Sequence, residues 1–162
     1  MYYMQNTPFH KLPPRAIRVW QMSSAIGNLF FFGIPAVYAA VFGTGSFHFW
    51  IVLASSIVIL GFWIFTVAFF PFLNWKNWRY AVDSDEIDLK RGVLIKSRTL
   101  IPLSRVQHVD TRQGPLLRWY DLATVTISTA ATTHEIPALD VVIADRVRDQ
   151  ISKYARLAEE DV

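Results

Sequence analysis

The sequence predicts a membrane-spanning α-helical hairpin followed by a small α+β, mostly-β domain of antiparallel strands capped by a C-terminal helix. Three observations carry this. Residues 19–75 contain no Asp, Glu, Lys or Arg. The pattern then turns to alternation, as in Glu86-Ile87-Asp88-Leu89-Lys90, the mark of a half-buried strand. After Pro137 it changes again: Ile143, Val147, Ile151, Tyr154 and Ala158 recur at helical spacing, so that an apolar stripe can cover a sheet.

The uncharged stretch is too long for one bilayer crossing, which takes about 20 apolar residues. It fits two, at residues 19–42 and 47–70, joined at Gly43-Thr44-Gly45-Ser46. Ala36-Val37-Tyr38-Ala39 resembles a signal cleavage site. The apolar run, however, exceeds the roughly 7–15 residues of a signal core, and a second span follows at once, so an uncleaved anchor is expected. Pro35 is expected to kink the first span near its outer end. Ser23, Gly27 and Asn28 in the first span, and Gly61 in the second, are candidates for helix packing. Small residues allow close approach and Asn supplies an interhelical hydrogen bond. The contact is either within the hairpin or with another membrane subunit. Neither span carries a charged side chain at depth, which argues against a pump or carrier.

The formal charge of +3 has a particular address. Lys11, Arg15 and Arg18 precede the spans, while the other 13 Lys and Arg and all 13 Asp and Glu follow Trp75. The soluble part is formally neutral, which speaks against a nucleic-acid binder. With Lys76 and Arg79 flanking the exit, the positive-inside rule puts both termini in the cytoplasm of a cell membrane. The chain has no cysteine, which excludes disulfides and thiolate zinc sites. The organisation expected is a basic lead-in (1–18), irregular over 1–14, the hairpin (19–75) and a cytoplasmic domain (76–162).

Within that domain, strands are expected at 79–82, 86–90, 93–101, 106–111, 123–129 and 133–136. Arg91-Gly92 marks a hairpin turn, residues 103–105 a single helical turn, and residues 116–120 an apolar connector. Asp140 is placed to cap the last helix, whose tail at 159–161 should fray. His108 and Asp110 share a strand face, and with His134-Glu135 they are the only constellation resembling an acid–base or metal site. Their spacing matches no ligand signature, so no catalytic residue, metal or cofactor is assigned. Lys90, Arg91, Lys96 and Arg98 cluster on one hairpin and are candidates for contact with lipid headgroups, Lys96 and Arg98 on one strand face. Arg105, Arg112 and Arg118 are expected to pair internally with Asp110 and Asp121.

Ile101-Pro102-Leu103-Ser104-Arg105-Val106-Gln107-His108-Val109-Asp110 resembles the core motif of the bacterial PH-like (YdbS-type) two-span membrane proteins. So do Gly114-Pro115-Leu116-Leu117-Arg118, Leu122-Ala123, Thr129-Ala130 and the approach Leu12-Pro13-Pro14-Arg15 with Trp20. The resemblance covers nearly the whole chain. It implies a PH-like bent β-sandwich or barrel of about seven antiparallel strands capped by the C-terminal helix. It also implies a frequent partner, a larger membrane protein with tandem copies of the domain. It implies no activity. Asp121 stands where the family usually has Gly. The first hairpin loop, through which eukaryotic PH domains often hold phosphoinositides, is here the acidic Asp83-Ser84-Asp85-Glu86, so that ligand is not carried over.

The function expected is therefore a non-enzymatic membrane subunit that presents its domain as an assembly surface, for a larger partner or for itself. Only the resemblance suggests envelope maintenance or stress resistance. The alternative is a module that reads anionic lipid, and an enzyme ranks behind both.

Overall fold

A computed structural model of the chain describes residues 8–43 and 45–160. Thr44 of the expected turn, Asp161 of the expected tail and the first seven residues of the lead-in lie outside the described residues. The chain forms two compact units, one of Trp20–Leu73 and one of Met1–Val19 with Asn74–Val162.

The first unit is the hairpin without the ends of its arms, residues 15–19 and 74–77. Its first arm is α1 (Arg15–Asn28), a 3-10 turn (Leu29–Phe32) and α2 (Gly33–Phe42). Its second arm is α3 (Ser46–Ile64), a π turn (Phe65–Phe69) and α4 (Phe70–Asn77). Arg15–Phe42 and Ser46–Asn77 are each long and apolar enough to cross a membrane, and hardly any of either is buried. Phe30, Val37, Phe47, Trp50 and Val58 point outward, the reverse of a core helix in a water-soluble fold. The break in the first arm falls at Leu29–Phe32, ahead of Pro35, which sits in the first turn of α2. Proline is tolerated there because first-turn N–H groups lack intrahelical partners.

Asn28 Nδ2 donates to Thr66 Oγ1 at 2.9 Å, joining the end of α1 to the π turn. Trp63 Nε1 donates to the Ala25 carbonyl at 3.5 Å. Tyr38 Oη and His48 Nδ1 meet at 3.0 Å near the other end of the hairpin. Ser23, Gly27 and Gly61 are exposed, and a Cβ at either glycine would meet nothing within 4 Å. The expected small-residue contact is thus not made inside the hairpin; polar and aromatic side chains join the arms instead.

The second unit holds seven strands among the described residues: β1 (His10–Lys11), β2 (Arg79–Val82), β3 (Glu86–Arg91), β4 (Ser97–Pro102), β5 (Val106–Arg112), β6 (Leu122–Thr129) and β7 (Thr133–Asp140). One sheet has the order β1-β2-β3-β4 and the other β5-β6-β7, antiparallel throughout. A 3-10 turn, Leu103–Arg105, links the sheets, and α5 (Pro115–Trp119) joins β5 to β6. The last helix, α6 (Val141–Glu160), packs on the second sheet and on the 3-10 turn. The core is Ile87, Leu89, Leu103, Leu122, Val125, Ile127, Ile136, Leu139 and Ile151, together with Leu12. This is the expected PH-like architecture.

Local readings change in five places. β7 does not stop at residue 136 but runs through Pro137 to Asp140. Among its described residues the lead-in is not irregular: His10 pairs with Tyr80, Leu12 is 1% exposed, Ala16 is buried, and Trp75 Nε1 donates to the Leu12 carbonyl at 2.8 Å. The strand expected from residue 93 starts only at Ser97. Gly92 has φ +114°, and a Cβ there would overlap the Ile95 carbonyl oxygen, so residues 92–96 close a tight loop. The connector 116–120 is mostly helix, with Pro115 in its first turn. On α6, Ala144 takes the fully buried place expected for Ile143, which lies 40% exposed at the rim.

Candidate anion-binding site

The first sheet builds its site through register. Lys11 lies opposite Arg79, Arg79 opposite Lys90, and Lys90 opposite Arg98. Residues paired across antiparallel strands share a face. Four cations therefore form one row across all four strands. Directly opposed like charges disfavour pairing, so the row works against the sheet that displays it.

Two contacts temper the repulsion. Arg98 donates from Nε to Asp88 Oδ1 and Oδ2 at 3.1 and 2.9 Å, and from Nη2 to Oδ2 at 2.7 Å. Hydrogen bonding to Asp88, and then its charge, raise the guanidinium pKa above its usual range. Lys90 Nζ stands 3.5 Å from the centre of the Phe9 ring, a cation–π contact. Asp88 is itself 7% exposed.

Beside the row lies an open concavity of about 320 Å³. Lys76, Arg79, Lys90, Arg91, Lys96 and Arg98 line it, with Asn77, Gly92 and Ser97, and no carboxylate contributes to its wall. All four headgroup candidates, Lys90, Arg91, Lys96 and Arg98, thus meet in one place. Lys96 does so from the loop rather than from a strand shared with Arg98. Lys76 and Arg79 join them, although the sequence marks them only as flanks of a span. No local pattern announces Lys11, because its place depends on the pairing of β1. The acidic turn after β2, closed by Asp83 N–H to the Glu86 carbonyl at 3.0 Å, lies at the opposite end of β3. The first sheet is therefore basic at one end of β3 and acidic at the other.

The motif residues Ile101, Pro102, Ser104, Arg105 and Gln107 line a second concavity of about 670 Å³, with Thr129, Thr132 and His134. Gly114, Pro115 and Arg118 lie apart, around α5. Arg105, Arg112 and Arg118 form no ion pair with Asp110 or Asp121 among the described residues, contrary to expectation. His134 Nε2 meets Thr132 Oγ1 at 2.9 Å. His108 lies opposite Ser128, and His134 opposite Ile127. Among the described residues no three His, Cys, Asp or Glu converge as a metal site would require.

A family model described as "Bacterial PH domain" matches residues 29–155. The chain is 42% identical to the transmembrane protein YdbS of Bacillus subtilis (strain 168) over 160 residues, 98% of this chain and all of that protein. It is 22% identical to the transmembrane protein YdbT of the same organism over 104 residues, 62% of this chain and 20% of that protein. No solved structure matches. By these matches, and by its two apolar arms and two-sheet domain, the chain belongs to the bacterial PH domain family as a YdbS-like membrane protein.

Proposed function

We propose that the protein is a non-enzymatic membrane anchor whose PH domain holds anionic lipid headgroups on the cation row of its first sheet, facing the cytoplasm. The observation that carries this is the row Lys11–Arg79–Lys90–Arg98 with the six-cation concavity beside it. Each Lys or Arg near an anionic surface contributes about 1 kcal/mol. One carboxylate, Asp88, answers one of these charges and leaves the others for a ligand. The concavity includes Lys76, in the last turn of α4, where the apolar arm ends and headgroups are to be met.

Connectivity supports one side of the membrane for both ends of the hairpin. β1 precedes the first arm and β2 follows the second, yet the two pair. A strand pair cannot form across a bilayer, so the two ends of the hairpin share one side. The basic flanks favour the cytoplasmic side.

The test uses the full chain in lipid nanodiscs, because a fragment starting at Trp78 lacks β1, Leu12 and Ala16. Amine-reactive labelling read by mass spectrometry should find Lys76, Lys90 and Lys96 protected when anionic lipid is present. High salt should remove the protection of all three, and Lys90→Glu with Lys96→Glu should remove that of Lys76. Equal labelling in zwitterionic and anionic discs would reject the proposal.

A second reading, an assembly surface for a larger membrane protein or for a second copy, is favoured by the concavity that the family-motif residues line. Envelope maintenance would belong to that reading. Native-membrane extraction in mild detergent tests it: a larger complex that Arg105→Glu dissolves supports assembly, and a monomer refutes it.

A further inference from the structure

We propose that the β3–β4 loop is a membrane-inserting tip, with Leu94 and Ile95 entering the bilayer while Arg91 and Lys96 stay at its headgroups; this rests on the headgroup reading. Leu94 is 95% exposed and Ile95 84% exposed. They are the two most exposed large apolar side chains among the described residues, ahead of every one on the apolar arms. Water is an unfavourable surrounding for both. Neither the core nor the sheet explains them, since the ladder ends at the Arg91–Ser97 pair.

The loop is built rather than slack. Gly92 turns at φ +114°, and the Ile95 carbonyl occupies the space a side chain at 92 would need. That closure carries the two apolar side chains beyond the last strand pair. Their flanks match an anionic bilayer in the order it presents itself: cationic Arg91 and Lys96 at the base, an apolar pair at the tip. The same concavity that takes in Arg91 and Lys96 takes in Lys76 from the last turn of the apolar helix. A domain tethered there meets the bilayer at high effective concentration, so even a two-residue tip is enough to hold it.

The chain has no cysteine, so Leu94→Cys accepts a single environment-sensitive fluorophore. Gln150→Cys, on the exposed side of α6, is the aqueous control. With the full chain in nanodiscs containing anionic lipid, emission from position 94 should be blue-shifted relative to position 150. It should also be quenched several-fold more by nitroxides carried on lipid acyl chains. Leu94→Asp with Ile95→Asp should leave the melting temperature unchanged and weaken protection of Lys90 and Lys96. A position 94 that stays aqueous while those lysines remain protected overturns insertion alone and leaves the headgroup reading standing. A blue shift without lipid-borne quenching indicates a protein contact and also overturns it. Loss of lysine protection in the unmutated chain removes the headgroup reading, and this inference with it.

Discussion

Arg98 reaches diagonally from β4 to β3 and grips Asp88 with Nε and Nη2, at 2.7 to 3.1 Å. The pair fixes the carboxylate nearest the cations on this face, Glu86 lying one step further along β3, and it divides the cation row unequally. Arg98 answers Asp88, whereas Lys11, Arg79 and Lys90 have no carboxylate within ion-pair distance among the described residues. Arg98→Gln should therefore act on stability, because it leaves a nearly buried carboxylate without its partner. Lys96→Gln should act on headgroup retention with little change in melting. Asp88→Asn should lower the melting temperature and strengthen retention of anionic lipid, since it frees a guanidinium. Thermal melts paired with lipid retention in nanodiscs separate the three.

Leu12 sits before the first arm yet belongs to the core of the domain that follows the second. Leu12→Ala should cost about 2–5 kcal/mol, the range for deleting a buried Leu side chain. Replacement of the exposed Arg18 by Ala should cost almost nothing. Denaturation of the two variants in detergent checks the contrast. Equal stability would mean that the lead-in does not complete the domain.

Tyr80 gives the first sheet an alkaline limit. Burial, and then the charge of Asp140, raise its phenol pKa above the ordinary 10.0. The folded chain thus holds this proton more tightly than the unfolded chain. The associated stability is fully present below the ordinary pKa and is lost as pH rises through the folded one. Tyr80→Phe should flatten the fall in melting temperature across that alkaline window and leave the neutral range nearly unchanged.

Asp121 occupies the left-handed region at φ +54°, at the position where the family resemblance implies Gly. Its N–H donates to the Arg118 carbonyl at 3.3 Å, and its own carbonyl accepts from Val141 N at 3.2 Å. The turn therefore joins α5 to the start of α6. Asp tolerates this conformation better than most residues. Asp121→Gly should be neutral or stabilise by up to about 1 kcal/mol, whereas Asp121→Val should cost about 1–2 kcal/mol. Chemical denaturation resolves the difference. Asp121 thus holds a left-handed position at a cost in local strain.

What was legible in the residues was whatever repeats locally. The uncharged arms, the alternation of β3 and the stripe of α6 carry their own periods, and each element stands where its pattern puts it. β1 has two residues and no period; only its pairing with Tyr80 and Arg79 makes it a strand. The loop at 92–96 looked like strand because Val93, Leu94 and Ile95 favour extended backbone. Gly92 decided otherwise, through a steric requirement that involves Ile95. The candidate site follows the same division. Lys90, Arg91, Lys96 and Arg98 are close in sequence and were visible together. Lys11, Lys76 and Arg79 come to the same face only through register and the end of a helix.

The pairing of His10 with Tyr80 also sets an order of events during synthesis. The domain's edge strand emerges from the ribosome early and must wait, without a partner, while both apolar arms are made. The first sheet closes only after the second arm has been threaded and β2 appears. Completion of the domain is thereby tied to completion of the hairpin: a chain without β2 leaves β1 with no strand to pair with.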